Sequence, residues 1–286
     1  MENCQSGTCG IQEQKTYEQA KQDQAVEVKN TLSKIKHKLL VMSGKGGVGK
    51  TSVSVNLGIA LAKKGYQVGI MDVDLHGPDV PRMLGLKGEV TACEGKPKLV
   101  PMTYSENLKA ISMECFMPNK DDAVIWRGPL KHSAINQFIS DIDWGDLDFL
   151  IIDSPPGTGD EPLSVAQTIP DAKAIIVTTP QEVALSDVRK SINFCTKINK
   201  EIVGMIENMS GYICPHCGKT VELFGTGGGE TTARQFNISF LGRIPFDPNI
   251  VKAGDSGRSY QEDNKDAPAA QAFAKTVDKI IERLHV

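Results

Sequence analysis

The sequence has no apolar run near the ~20 residues that a membrane span needs. Its first 20 residues are polar and hold no hydrophobic signal segment. It has no strong charge of either sign: 32 Lys and Arg against 35 Asp and Glu leave a net −3. Bulk electrostatics therefore suggest neither nucleic acid nor an anionic membrane as partner. No internal repeat is visible, and the C-terminus lacks a strongly basic amphipathic helix for a membrane surface. The seven cysteines are odd in number, which fits a reducing compartment with metal-binding or free thiols better than a disulfide scaffold. A cytoplasmic protein is expected. At 286 residues the chain makes one large α/β domain or two small ones.

What is present begins with Gly44-Lys45-Gly46-Gly47-Val48-Gly49-Lys50-Thr51, continued by Ser52. Apolar Leu39 to Met42 run into it as a buried strand would, and Val53 to Ala62 leave it at helical spacing. That strand–loop–helix context is what a P-loop requires. Its glycines let successive backbone N–H groups surround phosphate oxygens, and the helix N-terminus favours an anion. Lys50 can reach the β- and γ-phosphates of ATP, and the Thr51 hydroxyl can ligate Mg²⁺. Lys45 is a second cation that backbone cradling does not need. It can meet charge developing on the γ-phosphate, as an arginine finger does.

Two acidic strand ends follow. Gln67 to Met71 reads as a strand ending in Asp72-Val73-Asp74-Leu75-His76-Gly77-Pro78-Asp79. Carboxylates at that edge of an open α/β sheet sit where ligands bind, and Asp74 or Asp72 can orient an attacking water. Leu147 to Ile152, apolar but for Asp148, reads as a strand ending in Asp153-Ser154-Pro155-Pro156-Gly157-Thr158-Gly159-Asp160. Asp153 fits an acid that holds Mg²⁺, and the glycines free the loop to rearrange. Lys98 to Met102, Leu108 to Met113 and Ile238 to Leu241 read as further strands. Pro129 suits the first turn of a helix after Trp126-Arg127-Gly128. Ala174 to Thr178, Glu182 to Ile198 and Ile202 to Ile206 repeat strand, helix, strand. The whole predicts a doubly wound, mostly parallel sheet with helices on both faces. Ala267 to Leu284 closes it as an amphipathic core helix.

Residues 1–36 read as a flexible polar tail with Cys4 and Cys9, leading into a short helix. Residues 37–286 are the P-loop domain, with a metal insert at about 210–226. The insert carries Cys214-Pro215-His216-Cys217-Gly218, a tight metal knuckle. Two thiolates do not complete a four-ligand site. Either His216 and distant residues join, or two chains contribute two cysteines each. A [4Fe–4S] cluster and Zn²⁺ suit four thiolates equally, and a redox dithiol is a third reading. Cys93 and Cys115 have no spaced partners. Asn208, just past the strand at Ile202, has an amide that can donate and accept toward an adenine edge.

The loop resembles the deviant Walker A loop of MinD-type and nitrogenase-iron-protein-type ATPases. The resemblance implies that Lys45 reaches across a nucleotide-sandwich homodimer to the partner's ATP. It also implies that Asp74 rather than Asp72 positions water, and that Asn208 reads adenine. Together with Trp126-Arg-Gly-Pro, Glu207-Asn-Met-Ser and Cys214-Pro-His-Cys, residues 37 to 286 resemble the Mrp/ApbC family of P-loop ATPases that carry iron–sulfur clusters. That implies a homodimer with a labile [4Fe–4S] cluster bridged by Cys214 and Cys217 of each chain, and ATP hydrolysis linked to loading it or transferring it to apo-proteins. Some relatives hold a second cluster on four N-terminal cysteines. This tail has two, so a second cluster would also have to be shared between chains. The alternatives are a MinD- or ParA-like positioning ATPase, or a zinc-stabilised metallochaperone.

Overall fold

Successive side chains of a strand point to opposite faces, and β1 (Ile35–Ser43) uses both. Its Leu39 and Val41 enter one apolar core and its Leu40 and Met42 the other. A strand buried on both sides must sit inside a sheet covered by helices on each face. The structure, a computed structural model, describes residues 22–74, 77–87, 90–92, 98–112 and 128–286. Cys4, Cys9, Leu75, His76, Cys93, Cys115, Trp126 and Arg127 lie outside them.

In chain order the first elements are a helix over 22–33 (α1), β1, α2 (Lys50–Lys63), β2 (Val68–Asp72) and α3 (Val80–Met83). Strands β3 (Thr91–Ala92), β4 (Leu99–Val100), β5 (Met102–Ser105) and β6 (Leu108–Ser112) follow, then α4 (Gly128–Ser140), β7 (Leu147–Asp153) and α5 (Asp160–Thr168). Next come β8 (Lys173–Thr178), α6 (Glu182–Lys197), β9 (Ile202–Glu207), β10 (Tyr212–Ile213) and β11 (Thr220–Val221). The chain ends with α7 (Gly228–Gln235), β12 (Phe240–Arg243), α8 (Pro248–Ser256), α9 (Tyr260–Asp263) and α10 (Pro268–Leu284).

The main sheet has eight strands in the order β12-β9-β8-β1-β7-β2-β6-β5. All its pairs are parallel except β5 with β6. This is the expected doubly wound α/β architecture, and its ligand edge lies at the carboxyl ends of the strands. One core packs α2 and α10 on the sheet through residues such as Leu57, Leu61, Phe273 and Val277. The other packs α1, α4, α5 and α6 through Leu32, Phe138, Val165 and Val188. The expected stripe on the closing helix is core: Ala270, Phe273, Val277, Ile280 and Leu284 are buried, and Ile281 packs against them.

Several boundaries differ from expectation. The strand expected over Lys98 to Met102 is two, β4 paired with β3 and β5 at the edge of the main sheet. β1 starts at Ile35, four residues before the apolar run. Lys38 hides this in the sequence: it is buried in the strand and paired with Asp171 at 2.7 Å. Val28, Leu32 and Ile35 belong to the core, so the packed unit begins upstream of the expected boundary at 36/37. The late strand is Phe240–Arg243 rather than 238–241. Among the described residues, no helix is long and apolar enough to cross a membrane.

Candidate nucleotide and metal sites

β1 delivers the phosphate loop to the ligand edge. Gly44 must be glycine because a Cβ there would lie 2.3 Å from the Asp187 carbonyl carbon of α6. Gly49 ends the loop in the left-handed region, φ 80°, and is the N-cap of α2. No side chain caps α2 and no acid lies in its first turn, so its leading N–H groups face the loop and suit an anion. Ser43 Oγ donates to the Lys45 carbonyl at 2.9 Å, and Val48 is buried under the loop.

At the loop's end Lys50 is 7 % exposed and lies 2.8 Å from Oδ1 of the fully buried Asp153. Its Nζ nonetheless has no hydrogen-bond partner among the described residues. A buried ammonium with unspent donors is what a phosphate oxygen would satisfy. Thr51 Oγ1 donates to Asp153 Oδ2 at 2.7 Å, and Ser54 Oγ donates to Oδ1 at 2.7 Å. The Thr51 hydroxyl and the Asp153 carboxylate are hard oxygen donors of the kind Mg²⁺ takes. Sequence and structure thus bring Lys50, Thr51 and Asp153 to one point, although 102 residues separate the last two.

Asp72 and Asp153 are paired residues on adjacent strands. Burial, and then the neighbouring Asp153 charge, raise the Asp72 carboxyl well above the ordinary range. Asp72 Oδ1 accepts from the Asp74 N–H at 3.1 Å and Oδ2 from the Val80 N–H at 3.2 Å. It therefore folds its own loop back toward α3. Asp74 stands half-buried on that loop. Lys45 is half-buried on the phosphate loop. Its charge adds a small pull to Asp187, whose carboxyl is lowered mainly by Lys190.

Asn208 is buried at the end of β9 and donates Nδ2–H to the Val48 carbonyl at 2.9 Å. With Gly49, Ser52, Pro245, Phe246 and Ile250 it lines a cavity of about 300 Å³ beside the phosphate loop. That volume lies at the lower end for small-molecule sites. The loop after β12 therefore lines this cavity, through Pro245, Phe246 and Asp247. The contributions of Arg82 and Met83 from α3 went unforeseen, because nothing in their local sequence signals a ligand.

The insert is a small antiparallel hairpin in which β10 pairs with β11. The knuckle closes through Gly218 N–H to the Cys214 carbonyl at 2.8 Å and Cys214 N–H to the Lys219 carbonyl at 2.9 Å. Cys214 is half-buried and Cys217 exposed. The backbone N–H groups of Cys217 and then His216 lower the Cys214 thiol, helped by the Cys217 side chain. Among the described residues, no group of three or more His, Cys, Asp or Glu side chains is placed to hold a metal ion.

The family model for a ParA-type, NUBPL iron-transfer P-loop NTPase matches residues 34–281. An iron–sulfur cluster carrier protein of Methanocaldococcus jannaschii is 46 % identical over 262 residues, covering 91 % of this chain and 89 % of that protein. The cytosolic Fe–S cluster assembly factor CFD1 of Kluyveromyces lactis is 47 % identical over 262 residues, covering 88 % and 92 %. Among solved structures, a nucleotide-binding protein of Archaeoglobus fulgidus in complex with ADP superposes with a TM-score of 0.75 at 36 % identity, covering 87 % and 96 %. On the matched phosphate loop, the parallel sheet and the near-complete length of these alignments, the chain belongs to the ParA/NUBPL family of iron-transfer P-loop NTPases.

Proposed function

We propose that the chain binds and hydrolyses ATP and carries a [4Fe–4S] cluster. It assembles the cluster or transfers it to apo iron–sulfur proteins, as a cytosolic homodimer bridged by that cluster. One observation carries the cargo reading. Cys214 and Cys217 stand together at an accessible hairpin tip, one thiol is lowered toward the thiolate, and no third ligand gathers beside them among the described residues. Half a site at the surface is what a symmetric pair of chains would complete. The names of the archaeal and yeast relatives favour iron–sulfur cargo and a cytosolic setting.

In this reading the α2 N-terminus and the amides of Gly46, Gly47, Val48 and Gly49 hold the phosphates. Lys50 turns from Asp153 to the β- and γ-phosphate oxygens. Thr51 and Asp153 would hold Mg²⁺, which would supply charge neutralisation for the phosphates. Asp74 orients water, Lys45 acts in trans, and Asn208 gives up the Val48 carbonyl to read the adenine edge. Hydrolysis then changes the dimer interface and so the retention of the cluster, two sites biasing one element.

The knuckle hydrogen bonds also favour a second reading, a zinc-stabilised metallochaperone. Iron, acid-labile sulfide and zinc are measured per dimer after anaerobic reconstitution, with Cys214→Ala/Cys217→Ala beside wild type. About four iron and four sulfide, lost in the double variant, are expected. Zinc alone, or iron that the variant leaves in place, refutes the carrier reading at this site.

A further inference from the structure

Glu207 is the last residue of β9 and is fully buried, yet nothing in ATP chemistry or cluster ligation uses it. Its carboxylate joins the two ends of the cysteine insert. On the side leading into the insert, Ser210 Oγ donates to Oε1 at 2.5 Å. On the side leading out, Gly227 N–H donates to Oε1 at 2.8 Å and Gly229 N–H to Oε2 at 2.5 Å. Ser210 Oγ and Thr226 Oγ1 lie 3.1 Å apart, so the two ends meet under this one anion. Gly227 is the N-cap of α7, and the helix dipole adds to the attraction. Arg243 at the end of β12 places its Nε 3.6 Å from Oε1.

The same strand end faces the nucleotide pocket. Asn208 follows Glu207 directly and bonds the phosphate loop at Val48. Met209 at φ 55° and Gly211 at φ 75° then turn the chain sharply into the insert. Gly211 accepts from the Phe246 N–H at 2.8 Å, and Phe246 lines the pocket beside Asn208. A base that draws the Asn208 amide away from Val48 acts on the residue that lies directly between Glu207 and the turn into the insert.

We propose that Glu207 is a positioning residue that clasps both ends of the cysteine insert and ties it to the nucleotide pocket through Asn208, so that nucleotide occupancy sets the stance of Cys214 and Cys217. This rests on the proposed function for the meaning of those cysteines, not for the linkage itself. Glu207→Gln keeps the shape but sets an amide N–H₂ against a backbone N–H, so one arm of the clasp opens.

The test uses full-length, metal-free chain and site-resolved alkylation by iodoacetamide, with and without a non-hydrolysable ATP analogue and Mg²⁺. In wild type the analogue changes the Cys214 rate by about five-fold or more, the size of ordinary coupling between sites. In Glu207→Gln that ratio falls to about one, while the dissociation constant for the analogue stays within about three-fold of wild type. A purely structural role would shift the rate equally with and without nucleotide and leave the ratio in place. A wild-type ratio near one, or a Glu207→Gln ratio equal to wild type, overturns the proposal. Should Glu207→Gln not fold or not bind the analogue, Ser210→Ala decides: a reduced ratio supports the clasp and an unchanged ratio overturns it. Cluster content is not read here, so a chain found to hold zinc would refute the carrier reading and leave this result standing.

Discussion

Replacing Lys50 by methionine tests the electrostatics around the phosphate loop before any activity is measured. The ammonium is 7 % exposed and sits 2.8 Å from a carboxylate that is fully buried. Asp72 is buried beside it, on the neighbouring strand. Methionine fills the volume and removes the charge, leaving two adjacent carboxylates with no cation between them. Breaking a buried pair by removing one partner costs about 3–5 kcal/mol. Asp153 keeps the Thr51 and Ser54 hydroxyls, both at 2.7 Å, which places the expected loss near the bottom of that range, about 3 kcal/mol. For a chain of this size that lowers Tm by about 6–12 °C. The sign with pH is also fixed. Lys50 pulls the Asp72 carboxyl down, so without it the pair holds a proton to higher pH, and the destabilisation shrinks as pH falls. Differential scanning fluorimetry at pH 5 and pH 8 reads both effects on nucleotide-free protein. A Tm shift under about 2 °C at both values would refute the reasoning, because the charge pair would then contribute nothing to the resting fold. Turnover of ATP should be lost in the same variant, while reconstitution of the cluster at Cys214 and Cys217 persists.

Three further outcomes are expected. Lys45→Ala retains ATP binding by equilibrium dialysis but loses hydrolysis, and normal hydrolysis by a monomeric form would rule out action in trans. Asp72 titrates above its unfolded value, so the folded state binds the extra proton and the contribution of this residue to stability falls as pH rises above about 4. The stability difference between wild type and Asp72→Asn, followed by urea melts across pH, should therefore decline with pH, and a flat difference would contradict it. Iodoacetamide at pH 7 should label Cys214 and leave Cys195 untouched in the folded chain, since burial pushes the Cys195 thiol up to about 11. Equal labelling of the two, read by peptide mass spectrometry, would contradict those environments.

The phosphate loop, the acidic strand ends and the alternation of strand and helix were legible because each is local. Eight consecutive residues carry the loop's chemistry, and Asp153 closes a run whose apolarity is visible without a fold. The start of β1 was obscured by Lys38, a buried charge whose partner Asp171 lies 133 positions away. Asn208 was legible only through resemblance, because an asparagine after a strand is ordinary turn chemistry until Val48 is known to lie beside it. The Glu207 clasp was not legible at all. Two of its three close donors are backbone N–H groups about 20 residues downstream, and main-chain groups leave no trace in composition.

The meeting of Ser210 and Thr226 at the base of the insert has a consequence for how such a chain could arise. A segment whose ends already touch can be gained or lost without moving the strands that flank it, since closing the gap needs almost no chain. A chain in which Ser210 is joined directly to Gly227 should therefore keep the sheet and the phosphate loop while losing Cys214 and Cys217.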